Sequence, residues 1–294
     1  MKIVSVIFLL LPFVLKAQVP TPDRVVIVIF ENKSYFNIIE DPNFVPPYIN
    51  KLARDPQYGA LFTQSYGLTH PSQPNYFHLF SGSNQGVTEN NRPRKLPFST
   101  PNLGASLLKA GKTFIGYAED LPSVGFNGDS TMSSGSKPEI MYARKHNPWV
   151  NWQGAKMNGI PDSLNQPFAH FPIDFTRLPT VSIVIPNMNH DMHNKGRTVA
   201  DNWLKENLSD FVEWAKNNNS LLIITFDEDD NSPNNNNRIP TIFYGPMVKS
   251  GAYAEMPNGI NHHNVLRTIE EMYGLPHAGN AANVSPITDC WVIK

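Results

Sequence analysis

Only one of the 294 residues is a cysteine, Cys290, so the chain closes no intrachain disulfide and its core must hold without covalent staples. An excess of either charge is also missing: 24 Lys plus Arg stand against 25 Asp plus Glu, a net charge of -1. No global field therefore steers the protein toward nucleic acid or an anionic membrane, and any anion it binds must be held locally. After the N-terminus no apolar run approaches the ~20 residues that a membrane span requires, so no transmembrane segment is expected in the mature protein. Internal repeats and low-complexity tracts are lacking too, and the 26 prolines and 18 glycines fall without a period, which marks turns and long loops.

What is present suits a globular chain: 40% hydrophobic and 17% charged residues supply a large core. The first residues form one distinct segment, with Lys2 as a short positive start, an apolar run from Ile3 to Leu15 broken by Pro12, and the small residue Ala17. That is the pattern of a secretory signal. Residues 1–17 are expected to be removed and 18–294 to fold as a single domain in an exported compartment, periplasmic or extracellular.

Three β-branched apolar runs read as central strands buried on both faces: Arg24 to Phe30, Thr180 to Ile185 and Ser220 to Phe226. Long segments with helical stretches, such as Trp203 to Lys216 and His263 to Met272, separate them. The expectation is an α/β fold with a largely parallel central sheet. In such sheets ligands sit beyond the carboxyl ends of the strands. Each run ends on ligating side chains: Glu31 and Asn32 after the first, Asn187 and Asp191 after the second, Asp227 and Glu228 after the third.

The segment Pro71 to Phe80 changes from a proline-punctuated turn to an apolar helical pattern. Ser72 then sits beside a helix N-terminus, where backbone amides favour an anion. The tracts Gly125 to Ser136 and Asp229 to Asn237 read as surface connections. Phosphate esters repel nucleophiles through their own negative oxygens, so their hydrolysis calls for a cation and an activated hydroxyl. Glu31, Asn32, Asp227 and Glu228 supply oxygen donors for such a cation, and Asp191 with His193 adds a carboxylate and imidazole pair.

Seven segments in order, IFENKSY, THPSQPNYFHLFSG, YARKHNPW, IPNMNHDMH, DNWL, ITFDEDD and NHHNVLRTIEEMYGLP, resemble the phosphoesterase family of bacterial and fungal acid phosphatases and phosphatidylcholine-hydrolysing phospholipases C. The resemblance runs from about Arg24 to Pro276. It implies a three-layer α/β/α sandwich like that of alkaline phosphatase, with metal at the strand ends. It implies that Ser72 is the nucleophile and forms a phosphoserine. It makes Glu31, Asn32, Asp227, Glu228, Asp191, His193 and His262 metal-ligand candidates, Asn90 a phosphate-binding amide, and His146 a substrate contact or proton donor. Two positions depart from the two-metal members of the wider superfamily. Glu228 stands where they carry a His, and Asn187 to Asp191 replaces a DxxxH pair. One or two divalent ions, Zn, Ca, Mg or Mn, remain open on the donor types.

The expected activity is hydrolysis of phosphate monoesters on small-molecule substrates. Alternatives are a phosphodiesterase or phospholipase C with the same nucleophile, and an inactive protein that binds phosphorylated ligands. Arg92, Arg94 and Lys95 follow Asn90 and offer positive charge for a dianionic monoester.

Overall fold

The computed structural model describes residues 19–233, 235–254 and 257–292. The expected signal segment lies outside them. The main sheet begins with β1 (Arg24–Phe30), β2 (Gly59–Tyr66) and β3 (Phe114–Ala118). A separate two-stranded sheet pairs β4 (Ser130–Met132) with β5 (Ile140–Ala143). The main sheet continues with β6 (Asn165–Pro167), β7 (Val181–Ile185), β8 (Ser220–Phe226), β9 (Arg238–Tyr244), β10 (Gly251–Tyr253) and β11 (Ile260–Asn261). Its order is β10-β2-β9-β8-β1-β7-β3-β6, with β11 also on β2. All its pairings are parallel except those of β9 with β8 and β2.

The three strands expected from apolar runs are adjacent, β1 lying between β7 and β8. Alternation along β1 explains why no polar residue interrupts it. Val25, Ile27 and Ile29 enter one hydrophobic cluster and Val26, Val28 and Phe30 another, on the two faces of the sheet. Helices α2 (Ser72–Ser81), α3 (Leu103–Lys109) and α5 (His262–Met272) cover the first face, through Phe77, Leu107 and Ile269 among others. Helices α1 (Pro47–Ala53) and α4 (Arg197–Ala215) cover the second, through Ile49, Leu204 and Phe211. This is the three-layer α/β/α arrangement with a largely parallel sheet.

Two loop expectations need correction. The tract from Gly125 to Ser136 contains β4, because Ser130 and Met132 pair with Ala143 and Ile140. Asp229 is buried rather than on a surface turn, its N–H donating to Asn237 Oδ1 at 2.8 Å and so closing the tract before β9.

Candidate active site

The site lies where β1, β7 and β8 end and α2 begins. Glu31 follows the last residue of β1, and its N–H donates to the Asp191 carbonyl (2.8 Å), tying the β1 end to the loop after β7. Asp227 follows β8 and its N–H donates to the Phe30 carbonyl (3.0 Å). Parallel pairing therefore delivers both acids to one edge in register. Asn32 adopts φ 52°, a left-handed conformation that Asn tolerates better than most residues. That turn aims its N–H at Asp227 Oδ1 (3.0 Å) and its side-chain amide at Glu31 Oε2 (3.0 Å).

Ser72 is the first residue of α2 and is buried. Its hydroxyl lies 3.1 Å from Glu31 Oε2 and 3.0 Å from Glu228 Oε1, so its single proton always has a carboxylate acceptor. Tyr76, one helical turn on, donates to the second Glu31 oxygen at 2.5 Å. The other Glu228 oxygen faces His70 Nδ1 at 2.7 Å and Asn75 Nδ2 at 3.4 Å. His146 comes from the turn after β5 and stacks on Tyr76 with ring centroids 5.2 Å apart. Its Nε2 is 3.1 Å from Glu31 Oε1 and its Nδ1 3.3 Å from Asp191 Oδ2. Neither contact is a hydrogen bond, because the atoms are misaligned and Nε2 and Oδ2 are left without partners. Burial, with Lys145 the next cause, holds His146 well below its usual pKa.

Four acids crowd this pocket. Burial, then the charges of Asp227 and Asp191, pushes Glu31 well above the usual carboxylate range. Burial raises Asp191 and Asp227 as well. Glu228 is pushed up to about 8, by burial first and Asp227 second. Carboxylates placed this way stay ionised together only if a cation compensates them.

The donor set fits a hard or borderline divalent cation, and Asp227 Oδ2 and Asp191 Oδ2 are buried oxygens without a hydrogen-bond partner. The side chains are nonetheless turned onto Ser72, Asn32, Tyr76 and His70. Among the described residues no three His, Cys, Asp or Glu side chains converge as a ready ligand group.

The expected residues thus divide. Ser72, Glu31, Asn32, Asp227, Glu228, Asp191 and His146 come together. Asn90 stands one step back, its Oδ1 accepting the Gln73 N–H at 3.0 Å beside Ser72. His262 lies behind Asp227, with Nε2 2.7 Å from the Asp227 carbonyl, and supports the strand end through one nitrogen. His193 is exposed at the margin, with Nε2 3.4 Å from Lys145 Nζ. Asn187 is engaged elsewhere, donating to Asp120 Oδ2 at 2.7 Å. Tyr76, His70 and Lys145 escaped sequence reasoning. For Tyr76 the signal was present as the i, i+4 spacing from Ser72, and for His70 as an imidazole two residues before the serine.

A serine hydroxyl is thus held among buried carboxylates at the carboxyl edge of a mostly parallel sheet in a three-layer α/β/α fold. The phosphoesterase family model matches residues 44–276, and the chain belongs to the phosphoesterase family, hydrolases of phosphate esters. It is 48% identical over 277 residues to a phosphatidylinositol-3-phosphatase of Mycobacterium tuberculosis, covering 94% of this chain and 85% of that one. It is 28% identical over 193 residues to the phosphate-repressible acid phosphatase of Penicillium chrysogenum, covering 65% of this chain but only 44% of the fungal one. Among solved structures, an alkaline phosphatase superfamily protein from Vibrio parahaemolyticus superimposes with a TM-score of 0.59 at 14% identity, covering 92% of this chain and 72% of that one. That likeness shows the fold.

Proposed function

We propose that this phosphoesterase hydrolyses phosphate monoesters through a phosphoserine on Ser72, with a divalent cation, in an exported compartment. The observation that carries the reading is the Ser72 hydroxyl, buried at a helix N-terminus within 3.1 Å of two carboxylates from two strand ends. Glu31, Asn32, Asp227 and Glu228 would hold the cation, with Asp191, His193 and His262 as further candidates. When bound, it supplies positive charge for the phosphoryl oxygens and favours the ionised serine.

The chain's own groups account for the remaining steps. Ser72 Oγ bonds to phosphorus while the bond from phosphorus to the alcohol oxygen breaks. The Ser72 proton passes to Glu228 Oε1, 3.0 Å away. The alcohol leaves with a proton from solvent, and His146 contacts the substrate. Water then attacks phosphorus, the serine ester bond breaks, Ser72 recovers a proton and inorganic phosphate departs. The N-terminal end of α2, with Asn90 anchoring the Gln73 N–H, presents positive dipole toward the phosphate. Export rests on the sequence of residues 1–17.

The test compares p-nitrophenyl phosphate, bis-p-nitrophenyl phosphate and phosphatidylcholine as substrates, with chelator-stripped protein and each metal restored. Monoester turnover that needs metal, and that falls at least about 1,000-fold in Ser72→Ala, is expected. A diester or phosphatidylcholine preference overturns the monoester reading, and unchanged turnover in Ser72→Ala overturns the nucleophile.

A further inference from the structure

Beside the nucleophile the surface opens into a cavity of about 220 Å³, bordered by Gln73, Asn90, Arg92, Asp129, Arg144 and Lys145 among others. Gln73 immediately follows Ser72, so the cavity adjoins the start of α2. Three bordering side chains are cations and one is an acid. That acid, Asp129, is already engaged, accepting from Arg92 Nη1 at 3.1 Å.

Arg144 is the unusual member. Its side chain is only 3% exposed, yet it meets neutral oxygens alone. Nη1 donates to the Asn127 carbonyl (3.1 Å) and to Asn127 Oδ1. Nη2 donates to the Val150 carbonyl (3.3 Å) and Asn151 Oδ1 (3.1 Å), while Nε has no partner. Among the described residues no carboxylate lies within ion-pair distance of it. Arg92 reaches the same Asn127, at 3.2 and 3.4 Å, so one asparagine brackets two guanidinium groups of like charge. Burial, then the Arg92 charge, lowers Arg144 to about 10, which leaves it charged at neutral pH. A buried cation with no carboxylate in direct contact, held next to a second cation and with Asp129 already bonded to Arg92, is costly in a folded protein unless an anion approaches it. Asn127 and Asn151 fix the guanidinium plane in advance, the preorganisation that recognition of a phosphate or carboxylate requires.

We propose that this cavity is a subsite for a second anionic group, phosphate or carboxylate, carried by the alcohol part of the substrate. Arg92 and Lys145 contact that group, and Arg144, its terminal N–H groups already bonded to Asn127, Val150 and Asn151, supplies fixed positive charge behind them. The inference rests on the phosphomonoesterase reading above and narrows its substrate class.

The pair glycerol 3-phosphate and 3-phosphoglycerate tests it, since the two differ in a hydroxymethyl against a carboxylate. Soluble inositol 1,3-bisphosphate and vesicles bearing phosphatidylinositol 3-phosphate complete the set. The anionic alcohols are expected to show kcat/KM about tenfold above glycerol 3-phosphate. Arg92→Gln, at an exposed position, should reduce that ratio roughly fivefold, mainly through KM, and Arg144→Lys should reduce it further. A ratio near one, or a ratio indifferent to both substitutions, overturns the subsite. Preference for vesicles over the soluble bisphosphate names a lipid headgroup as the source of the anion, and the reverse names a soluble polyol. Binding of inositol 1,3-bisphosphate against glycerol 3-phosphate to Ser72→Ala protein, by calorimetry, reads the subsite without turnover. Failure to hydrolyse any ester with preserved tighter binding of the bisphosphate sinks the activity and keeps the subsite. Equal binding of the two sinks the subsite alone.

Discussion

The Tyr76 hydroxyl donates a 2.5 Å hydrogen bond to Glu31 Oε1, while the other oxygen of the same carboxyl faces Ser72. The α2 helix thus both carries the serine and, one turn later, fixes the acid that the serine addresses. Removing only the hydroxyl frees Glu31 to rotate while keeping the ring on His146. Tyr76→Phe is expected to lower kcat about 10- to 100-fold, the usual cost of losing an outer hydrogen-bond partner of a metal ligand, the role proposed for Glu31. Steady-state kinetics with a melting curve checks it, because unchanged kcat would reduce Tyr76 to a core residue.

The crowding of Glu31, Asp191, Asp227 and Glu228 makes a thermodynamic prediction that needs no substrate. A cation that binds only the folded state adds stability by mass action, about 2.7 kcal/mol at roughly 100 times its Kd. For a chain of this size that is a rise in Tm of about 5 to 10 °C. Differential scanning calorimetry of chelator-stripped protein with Zn, Ca, Mg or Mn measures it, and Asp227→Asn should abolish most of the rise. Absence of a rise with all four ions would remove the cation from the proposal.

How much of this was visible beforehand depends on which force places each residue. Strands β1 and β8 were legible to the residue, because a strand buried on both faces has to be an unbroken apolar run. The acids just beyond them were legible for the same reason. Strand β2 was not, since GALFTQSY mixes apolar and polar positions and is held by pairing with β9, whose sequence lies far away. Tyr76 reads as one more aromatic in an apolar helix until the turn geometry sets its hydroxyl on Glu31. Arg144 reads as a surface cation in a basic tract, and only its enclosure by Asn127, Val150 and Asn151 reveals a buried one. His193 and His262 carried the right chemistry, but placement at a loop margin and behind a strand end follows from tertiary contacts that a motif does not encode.

Asp201 illustrates a structural acid outside the site. From α4 its carboxylate accepts the N–H groups of Tyr48 (2.9 Å) and Ile49 (2.8 Å), the first-turn donors of α1 that no local side chain caps. It is a cap supplied from another helix, and it joins the two helices of one layer. Asp201→Ala leaves two buried donors unpaired and is expected to cost about 2 to 4 kcal/mol. Urea denaturation measures that cost, and a loss below about 0.5 kcal/mol would show that water replaces the carboxylate.

Glu270 on α5 supplies the pH prediction, well away from the active site. It is fully buried, its Oε1 accepts the Ala278 N–H at 2.8 Å, and its Oε2 has no partner. Burial is the main cause that pushes its pKa from 4.5 to about 8, with Arg267 opposing and Glu271 assisting the rise. The folded protein therefore keeps a proton that the unfolded chain releases above about pH 4.5. Its stability contribution is intact below that pH and is lost progressively as pH rises toward about 8, after which both states are ionised and the loss stops. Glu270→Gln cannot ionise and escapes the loss. Near pH 4 the two proteins should differ little. By pH 8 the variant should be more stable by a few kcal/mol, since each tenfold difference in proton affinity between the folded and unfolded chain is worth about 1.4 kcal/mol. Urea denaturation across that range measures the divergence. Parallel curves would mean that Glu270 is ionised in the folded state at neutral pH, with Arg267 as its counter-charge.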